Sequence, residues 1–324
     1  MDYGHAWTDK ELKKLERRIS KEYKQAAAEA QKKLDKYLSD FTLKDQAKRE
    51  ALEKGKITQK EYDNWRISEL ARGKRWEELR DNLAEDFHNT NKIAASMTRE
   101  FSYDAYALNH NYGTYEAESG ALVDTSYTLY DRHTVERLIR DDPDMLPPPG
   151  KKVAKRIQEG KDVAWNKQVI QSVMTQSILQ GEPIPKIADR LAAAVGDTNR
   201  KAAIRNARTM TTGAENAGRV DSYKRAEEMG IKMKQQWLST LDNRTRHEHR
   251  QLDGQRVNVG EPFEIDGYQI MYPGDPHAEP EMVYNCRCTL IGVVDGVDID
   301  NAPRNSRLGN MTYEEWKGEH EQNG

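Results

Sequence analysis

The chain has 324 residues, of which 36% are hydrophobic and 32% charged, and its mean hydropathy is -0.97. That length is enough for two or three domains, but the low apolar fraction is typical of long helices that each bury one narrow stripe. The net charge of -3 excludes a general attraction to nucleic acid, and no apolar run approaches the roughly 20 residues of a membrane span.

The N-terminus and the cysteines bear on where the protein is made. The first residues, Met1-Asp-Tyr-Gly-His5, lack the basic and apolar regions of a signal peptide. The two cysteines, Cys286 and Cys288, are separated by one arginine and cannot easily form a disulfide with each other. Both observations predict a cytoplasmic protein with reduced thiols.

The N-terminal part of the chain has the pattern of a helical hairpin. Thr8-Asp-Lys-Glu11 has the spacing of a capping box, which predicts that a helix begins there. The helix should end near Gly55, and a second capping box, Thr58-Gln-Lys-Glu61, should begin the next helix. Apolar residues on the first helix recur about every 3.67 residues, which predicts one stripe on a nearly straight helix. The stripe comprises Leu12, Leu15, Ile19, Tyr23, Ala26, Ala30, Leu34, Tyr37 and Phe41.

The pattern loosens between Ile93 and Tyr130, where irregularly spaced tyrosines and two glycines predict a helix, a turn and a short strand pair. The tyrosines could stack on bases, but packing between helices is the commoner arrangement. The segment from Asp141 to Gly150 contains three successive prolines and cannot continue a helix. We therefore place the boundary of an extended N-terminal helical domain after residue 146.

The rest of the chain predicts a helical middle, a small domain and a tail. Residues 147–230 have helical patterns at Val163 to Gln180, Pro185 to Val195 and Asn199 to Gly230. Residues 231–295 have candidate strands at Met233 to Leu238, Phe263 to Ile265, Gln269 to Met271 and Thr289 to Val294, with a hairpin signal at Asp266-Gly267. Residues 296–324 are a polar tail, expected to be mobile apart from a short helix after the capping box Thr312-Tyr-Glu-Glu315.

The fold class predicted from these elements is α+β. It consists of a long N-terminal helical hairpin, a helical middle and a small C-terminal α+β domain with a short antiparallel sheet. The small domain contains the residues that are chemically most distinctive.

Residues that bind soft metals are concentrated between Trp237 and Leu290, where both cysteines and three of the eight histidines lie. Cys286, Cys288 and His249, with His247 or His277 as a fourth donor, would supply the sulfur and nitrogen set that zinc binds tetrahedrally. The alternative is that the cysteines are small core residues of a terminal strand and that His249 caps the neighbouring turn.

A group of charged residues follows Trp237. Asp242, Arg244 and Arg246 could clamp a substrate, but pairing between carboxylate and guanidinium that fixes a turn is the favoured interpretation. Asp253-Gly254 predicts a turn in which Asp253 accepts from backbone amides and Gly254 has positive φ. The sequence has no serine nucleophile elbow, phosphate loop or His-Glu-x-x-His motif, so a catalytic site is not favoured.

The segment from Asn199 to Lys234 has a local excess of positive charge. Its first basic residues could neutralise phosphates and give DNA binding that is independent of sequence and weakened by salt. These residues are Arg200, Lys201, Arg205 and Arg208. The alternative is a solvated helix face, or one that docks on an acidic partner.

Several motifs, in one order, resemble a known family. The first two are the helical segments Ile178 to Leu191 and Ala207 to Arg219. The third is Trp237 to Gly254, with the pattern Trp-x-x-(Ser/Thr)-x-Asp-x-Arg-Thr-Arg-x-x-His-x-x-Leu-Asp-Gly. The last two are Pro-Gly-Asp-Pro and Asn285-Cys-Arg-Cys-Thr289. Over roughly residues 165–294 the chain resembles the C-terminal domain of phage Mu F-like minor head proteins, also called phage head morphogenesis proteins.

The resemblance also bears on individual residues. We interpret Trp237, Asp242, Arg244, Asp253 and Gly254 as structural. Some family members carry Cys-x-x-Cys where this chain has Arg246 and His249, and a histidine where it has Val283. The resemblance therefore implies a weaker zinc site in this chain, and no other cofactor is expected.

The resemblance implies a non-enzymatic minor capsid protein of a tailed phage, associated with the portal in procapsid and virion and lying in the capsid interior. The implied partners are the portal protein, other capsid or scaffolding proteins and, as a further candidate, double-stranded DNA, whose ejection it would assist. No membrane is expected during assembly in the host cytoplasm. We expect the long N-terminal helices to dock on the portal or on a neighbouring protein through their narrow apolar stripes, which leaves the compact C-terminal domain facing the capsid interior. The alternative function is a zinc-dependent enzyme acting on nucleic acid.

Overall fold

A computed structural model describes residues 2–146, 162–298 and 304–323. Its helices are α1 (Tyr3–Glu53), α2 (Gln59–Ala71), α3 (Lys74–Ala121), α4 (Arg132–Asp141), α5 (Val163–Leu179), α6 (Ile184–Glu228), α7 (His247–Leu252), α8 (Pro280–Val283) and α9 (Tyr313–Asn323). Its strands are β1 (Ile231–Leu238), β2 (Arg256–Asn258), β3 (Phe263–Ile265), β4 (Tyr268–Ile270) and β5 (Thr289–Val297). The α+β fold class is confirmed, and the three successive prolines lie outside the described residues.

The start of α1 differs from the prediction. The helix begins at Tyr3, because the Asp2 carboxylate accepts from the backbone N–H of His5 at 2.7 Å and so caps the first turn. Thr8 lies inside the helix, where its hydroxyl donates to the carbonyl of Gly4. The capping box at Thr8 is therefore wrong, whereas the box at Thr58 caps α2 as predicted.

Two helices run through positions where the sequence predicted breaks. α3 continues to Ala121 because Gly113 and Gly120 pack closely against Ser222 and Val294, which leave no room for a side chain at either glycine. The polar side chains in this part of the helix bond to carbonyls four residues earlier, as for Asn109 and Ala105. The predicted turn is present, but only at Leu122, which has a φ of 58° and follows the helix. The predicted strand pair is wrong, because Val123 forms a single bridge with Arg304, outside this stretch. α6 likewise passes through Gly196, where a Cβ would lie 3.5 Å from the Phe87 ring, so this glycine is accommodated inside a packed helix.

The chain divides into two compact units. Unit 1 comprises Met1–Glu16, Met97–Gln158 and Arg205–Gly324, and unit 2 comprises Arg17–Ser96 and Glu159–Ile204. α1, α3 and α6 each contribute residues to both. The predicted domain boundaries, at residues 146, 230 and 295, remain a prediction about which segments fold on their own.

Unit 2 is helical and has an apolar core. Leu34, Tyr37 and Phe41 of α1 are buried there together with side chains of α2, α3, α5 and α6. Trp76 is also buried, and its Nε1 donates to Gln171 Oε1 at 2.7 Å. Docking on the portal through the apolar stripe of α1 is therefore wrong, because the stripe already lies in the chain's own core.

Unit 1 contains the sheet. β1 lies between β2 and β5 with antiparallel pairing on both sides, and β3 and β4 form a separate hairpin. The hairpin turns at Asp266 and Gly267, with φ of 49° and 82°, as the two-residue signal predicted. Every predicted strand is present, and the ends differ from the prediction by at most three residues.

The described C-terminal residues 304–323 are packed, whereas their composition had predicted a mobile peptide around a short helix. Trp316 is completely buried, and its Nε1 donates to Glu118 Oε2 at 2.6 Å. Thr312 and Glu315 form the predicted capping box at the start of α9. Trp316, Leu308 and Tyr313 are buried in one cluster and thus anchor a segment whose other residues are mostly polar.

Among the helices in the described ranges, none combines the length and the apolar character that crossing a membrane requires.

Candidate functional site

Three donor residues meet where β1 ends and β5 begins. The last residue of β1, Leu238, pairs with Thr289, which places the chain after Trp237 beside the chain before β5. α7 carries His249 into this corner, and Asn285, with φ of 52°, turns the chain so that Cys286 and Cys288 enter it. The predicted donors His249, Cys286 and Cys288 are therefore brought together and buried.

The distances in this cluster are short. His249 Nδ1 lies 3.5 Å from Cys286 Sγ and 3.4 Å from Cys288 Sγ. Cys288 Sγ is also 3.7 Å from the hydroxyl of Ser239, which receives a hydrogen bond from Trp237 Nε1 at 3.1 Å. Both cysteines are free thiols. Ser239 was not singled out from the sequence, and only its place two residues after Trp237 could have indicated it.

The electrostatics of the two thiols differ. The hydrogen bond with Cys286 lowers the pKa of Cys288, whereas burial raises it. The hydrogen bond and charge of His249 lower it further, and the resulting pKa of Cys288 is about 4. The hydrogen bond between the two thiols, together with burial, raises the pKa of Cys286 well above its usual range. The two neighbouring thiols thus shift in opposite directions, with the imidazole favouring the thiolate of Cys288.

The other candidate donors lie outside the cluster. His247 is exposed, and its Nε2 lies 2.7 Å from Gln251 Nε2. Residues two apart on a helix point about 200° apart, so His247 faces away when His249 faces inward. His277 has a side chain that is 58% exposed and lies 3.8 Å from Asp275. Neither histidine supplies the fourth donor that the sequence suggested.

Arg246 and Val283 occupy the positions where a ligand was expected from the resemblance. The Arg246 guanidinium donates to the carbonyl of Tyr284, and Val283 is completely buried. Arg246 also favours the charged form of Cys286 and so acts to lower its pKa, against the larger effects that raise it. A cation beside the sulfurs thus occupies a position where the resemblance had suggested a thiol ligand.

Asp242 fixes the turn after β1, as predicted; its carboxylate lies 3.7 Å from the guanidinium of Arg244 and pairs more closely with Arg287, which was not predicted. Its carboxylate forms two hydrogen bonds of 2.7 Å with Arg287, and these bonds hold the pKa of Asp242 well below its usual range. Arg244 donates its backbone N–H to the same carboxylate at 2.9 Å, while its side chain is 75% exposed. The alternation of Cys286, Arg287 and Cys288 could have indicated that Arg287 points away from the thiols.

The Asp253-Gly254 turn has the predicted form. The Asp253 carboxylate accepts from the backbone N–H of Ser239 at 2.7 Å, and Gly254 has a φ of 81°. The N–H of Gly254 donates to the carbonyl of Trp237 at 2.9 Å. The turn therefore holds the end of β1, from which Ser239 reaches the cysteines.

Three of the four predicted DNA-binding residues have local partners. Arg200 pairs with Asp197 at 3.2 Å, and Lys201 is exposed, both in unit 2. In unit 1, Arg208 forms hydrogen bonds of 2.6 and 3.1 Å with Glu16, and the guanidinium of Arg205 lies 5.6 Å from the Tyr284 ring centre. At least two of these four cations are therefore already neutralised by a neighbouring carboxylate.

Sequence reasoning missed a buried ionic network in unit 1. Arg219 is completely buried, donates to Asp2 Oδ2 and to the carbonyl of Leu290 at 2.9 and 2.6 Å, and lies 3.9 Å from Glu116. Burial of the Glu116 carboxyl raises its pKa to about 7, because the cost of desolvating the charged form exceeds the opposing attraction of Arg219. Arg219 ends a motif that the resemblance had singled out, but nothing in the sequence indicated its partners.

Comparison with known proteins gives one family and several relatives. Residues 168–291 match the family model described as Phage Mu protein F like protein. The chain is 27% identical over 219 residues to Minor head protein GP7 of Bacillus phage SPP1, covering 67% of each protein. It is 33% identical over 184 residues to NAD(+)--arginine ADP-ribosyltransferase EFV of Enterococcus faecalis, covering 56% of this chain and 36% of that protein.

A third relative is the uncharacterized protein YqbB of Bacillus subtilis, 31% identical over 140 residues, which cover 42% of this chain and 45% of that protein. The chain thus spans about a third of the enterococcal relative and less than half of the protein from Bacillus subtilis. No solved structure matches the chain significantly.

Proposed function

Because this chain belongs to the phage Mu protein F-like family, we propose that it is a minor head protein, a structural component of a tailed-phage virion that assembles with other capsid proteins. The observation that carries the proposal is the similarity to the SPP1 minor head protein. It covers 67% of both chains and so extends beyond the matched domain. We further propose that the protein lies inside the capsid near the portal, is assembled in the host cytoplasm and assists genome ejection.

The test of this role is the composition of phage heads. Heads purified from cells that produce the phage are expected to contain the chain at a constant, low copy number relative to the major capsid protein. Deletion of its gene is expected to reduce the yield of normal heads, with rescue by a supplied copy. Heads that lack the protein, or a deletion that leaves head yield unchanged, would contradict the proposal.

Contact with the portal protein must use surfaces other than the apolar stripe of α1, because that stripe is buried. We propose that the polar helix faces make this contact, which would then depend on charge. A complex of the purified chain with portal protein should weaken when ionic strength is raised from about 0.1 M to 1 M, where the Debye length falls from about 10 Å to about 3 Å. A complex whose affinity does not change with salt would exclude the polar helix faces as the contact surface.

A contact with packaged DNA is a second proposal, supported by a basic row on α1. Arg17, Lys21 and Lys24 are all exposed, and their spacing of four and three residues places them on one helix face. No carboxylate pairs with them among the residues that the structure describes. This row is a stronger candidate for DNA than Arg205 and Arg208, of which the second is held by Glu16.

The two basic groups can be separated by charge reversal. Each phosphate contact contributes about -0.9 to the slope of log affinity against log salt. Replacing Arg17, Lys21 and Lys24 with Glu should weaken binding to any double-stranded DNA and flatten that slope, whereas Arg205→Glu with Arg208→Glu should do so less. Arg244→Glu, at an exposed arginine elsewhere, serves as the control. Binding that is absent in the wild type, or unaffected by the triple change, would remove DNA contact from the proposed function.

We propose that the role is not enzymatic. The printed name of the enterococcal relative describes an arginine ADP-ribosyltransferase, but the match covers only 36% of that protein. The purified chain is expected neither to cleave DNA or RNA with zinc present nor to modify arginine acceptors with NAD+. Activity in either assay that survives repurification and is lost on a site substitution would reverse this part of the proposal.

A further inference from the structure

The Cys-Cys-His cluster brings three lone-pair donors to one buried point. His249 Nδ1 faces both sulfurs. Because this nitrogen has either one proton or one lone pair, it cannot form a full hydrogen bond with both sulfurs at once. His249 Nε2 has no hydrogen-bond partner among the residues in the described part of the chain, so the ring is not held in the cluster by a bond on its other side. The imidazole is thus under-satisfied as a hydrogen-bonding group, whereas the sulfurs also contact the backbone N–H of Cys288 and the Ser239 hydroxyl.

The same three atoms have the spacing of a tetrahedral metal site. Zinc binds cysteine sulfur at about 2.3 Å and histidine nitrogen at about 2.0 Å, and tetrahedral angles then separate sulfur from nitrogen by about 3.5 Å. The observed separations are 3.5 and 3.4 Å. A hydrogen bond alone would not require both sulfurs to lie at this distance from one nitrogen.

We propose that Cys286, Cys288 and His249 bind one Zn²⁺ ion through their two sulfurs and Nδ1. Both sulfurs would bind as thiolates, and the protons that they release would go to solvent. Two thiolates and a neutral imidazole balance the charge of the ion, so the buried site carries no net charge. The inference does not depend on the proposed role in the phage head.

The fourth position would be completed by an oxygen. The Ser239 hydroxyl lies 3.7 Å from Cys288 Sγ, on the same side of the cluster as the end of β1. A water molecule is the other oxygen donor of the same class. His247 and His277 cannot complete the site from their exposed positions.

The surroundings hold the ligands in place. The ring of Trp237 packs edge to face against His249 at 5.5 Å and against Phe263 at 5.3 Å. The ion would connect α7 to the segment before β5, closing a loop from residue 249 to residue 286. Its expected role is therefore structural, since binding energy in such a site adds to folding energy.

The experiment uses the full chain, purified with a reductant, stripped with a chelator and then exposed to zinc or cobalt. We expect one zinc per chain by elemental analysis, and a visible and near-ultraviolet spectrum of the cobalt form typical of tetrahedral thiolate binding. Chelation should lower the melting temperature. Cys286→Ser, Cys288→Ser and His249→Ala should each weaken zinc binding by at least about tenfold. His247→Ala is the matched control and should bind zinc like the wild type.

The cobalt spectrum of the wild type tests sulfur binding even where a cysteine variant fails to fold. A wild-type chain that takes up less than a tenth of an equivalent of zinc, with a melting temperature indifferent to chelator, would overturn the proposal. Equal loss of zinc in His247→Ala and His249→Ala would do the same. Zinc retained in both cysteine variants would also overturn it, because the ion would then lie elsewhere.

Discussion

The two compact units bury different kinds of side chain. Unit 2 encloses Leu34, Leu83, Phe87 and other apolar residues, and the charged pair buried in its described part is Arg66 with Asp45, 3.2 Å apart. Unit 1 also has apolar clusters, but polar and charged side chains are buried throughout it. Unit 2 is therefore stabilised mainly by apolar packing, whereas unit 1 also depends on buried ion pairs and hydrogen bonds.

The charged residues of unit 1 connect the N-terminus to the sheet. Asp2 pairs with Arg219, and His5 Nδ1 lies 2.8 Å from Glu215, which in turn accepts from Thr289 at 2.7 Å. Each partner in such a network offsets the desolvation of another, so losing one leaves an uncompensated buried charge. An apolar core loses only contacts and volume when a side chain is truncated. The units should therefore respond differently to substitution and to pH.

The largest expected effect is that of Arg219→Met in unit 1. Removal of the guanidinium leaves the carboxylate of Asp2 buried without its cation, and we expect a loss of about 3–5 kcal/mol in the free energy of unfolding. Chemical denaturation, with hydrogen exchange of β5 amides to report on unit 1, measures it. Arg244→Met, at a side chain that is 75% exposed, should change stability by less than about 0.5 kcal/mol. Equal effects of the two substitutions would contradict the network.

The corresponding change in unit 2 is Leu34→Ala. Leu34 is 1% exposed, and its truncation should cost about 3 kcal/mol through lost contacts and the cavity left behind. Leu43→Ala on the same helix is the control, because Leu43 is 80% exposed and should cost little. Hydrogen exchange in α2 and α5 would report the loss. Protection that stays at the wild-type level would mean that the core can collapse around the cavity.

The pH dependence should be concentrated in unit 1. Burial opposes the charged imidazole of His5, but the charge and hydrogen bond of Glu215 outweigh it and raise the pKa of His5 from 6.5 to about 9. A raised pKa means that the folded state holds the proton more tightly. This stabilisation is complete below pH 6.5 and is lost as pH rises towards 9, by on the order of 2 kcal/mol.

Stability measured across that pH range in the wild type and in His5→Gln isolates this contribution. The variant should be less stable at pH 6 and should lose less stability on going to pH 9. The comparison is needed because Glu116, with its pKa raised to about 7, contributes its own loss of stability as pH rises from 4.5 to 7. Parallel pH profiles for the two proteins would exclude the pair of His5 and Glu215.

The smallest expected effects should be alike in the two units. The capping boxes of Thr58 in unit 2 and Thr312 in unit 1 have the same reciprocal hydrogen bonds to a glutamate three residues later. Thr58→Ala and Thr312→Ala should each cost about 1 kcal/mol, because a cap is a local interaction. A much larger cost for Thr312→Ala would show that the packing of Trp316 depends on the cap.

Features that depend on neighbouring residues were determined by the sequence alone. The capping boxes at Thr58 and Thr312, the Asp266-Gly267 hairpin, the turn at Gly254 and four of the five strands of the small domain were predicted correctly. The short strand β2, which pairs with β1, was not predicted. Each correctly predicted feature is specified by residues within a few positions of one another, where backbone geometry leaves few alternatives. The same locality explains why the Cys-x-Cys pair could be recognised as a candidate site.

Features that depend on distant partners were decided only by the tertiary structure. Asp2 caps α1 and pairs with Arg219, 217 positions away, and Asp242 pairs with Arg287, 45 positions away. Packing likewise kept α3 and α6 continuous through their glycines and brought His249, but not His247, to the cysteines. Periodicity can predict which face of a helix is buried, but it does not specify which residue lies opposite, because that depends on how separate elements pack.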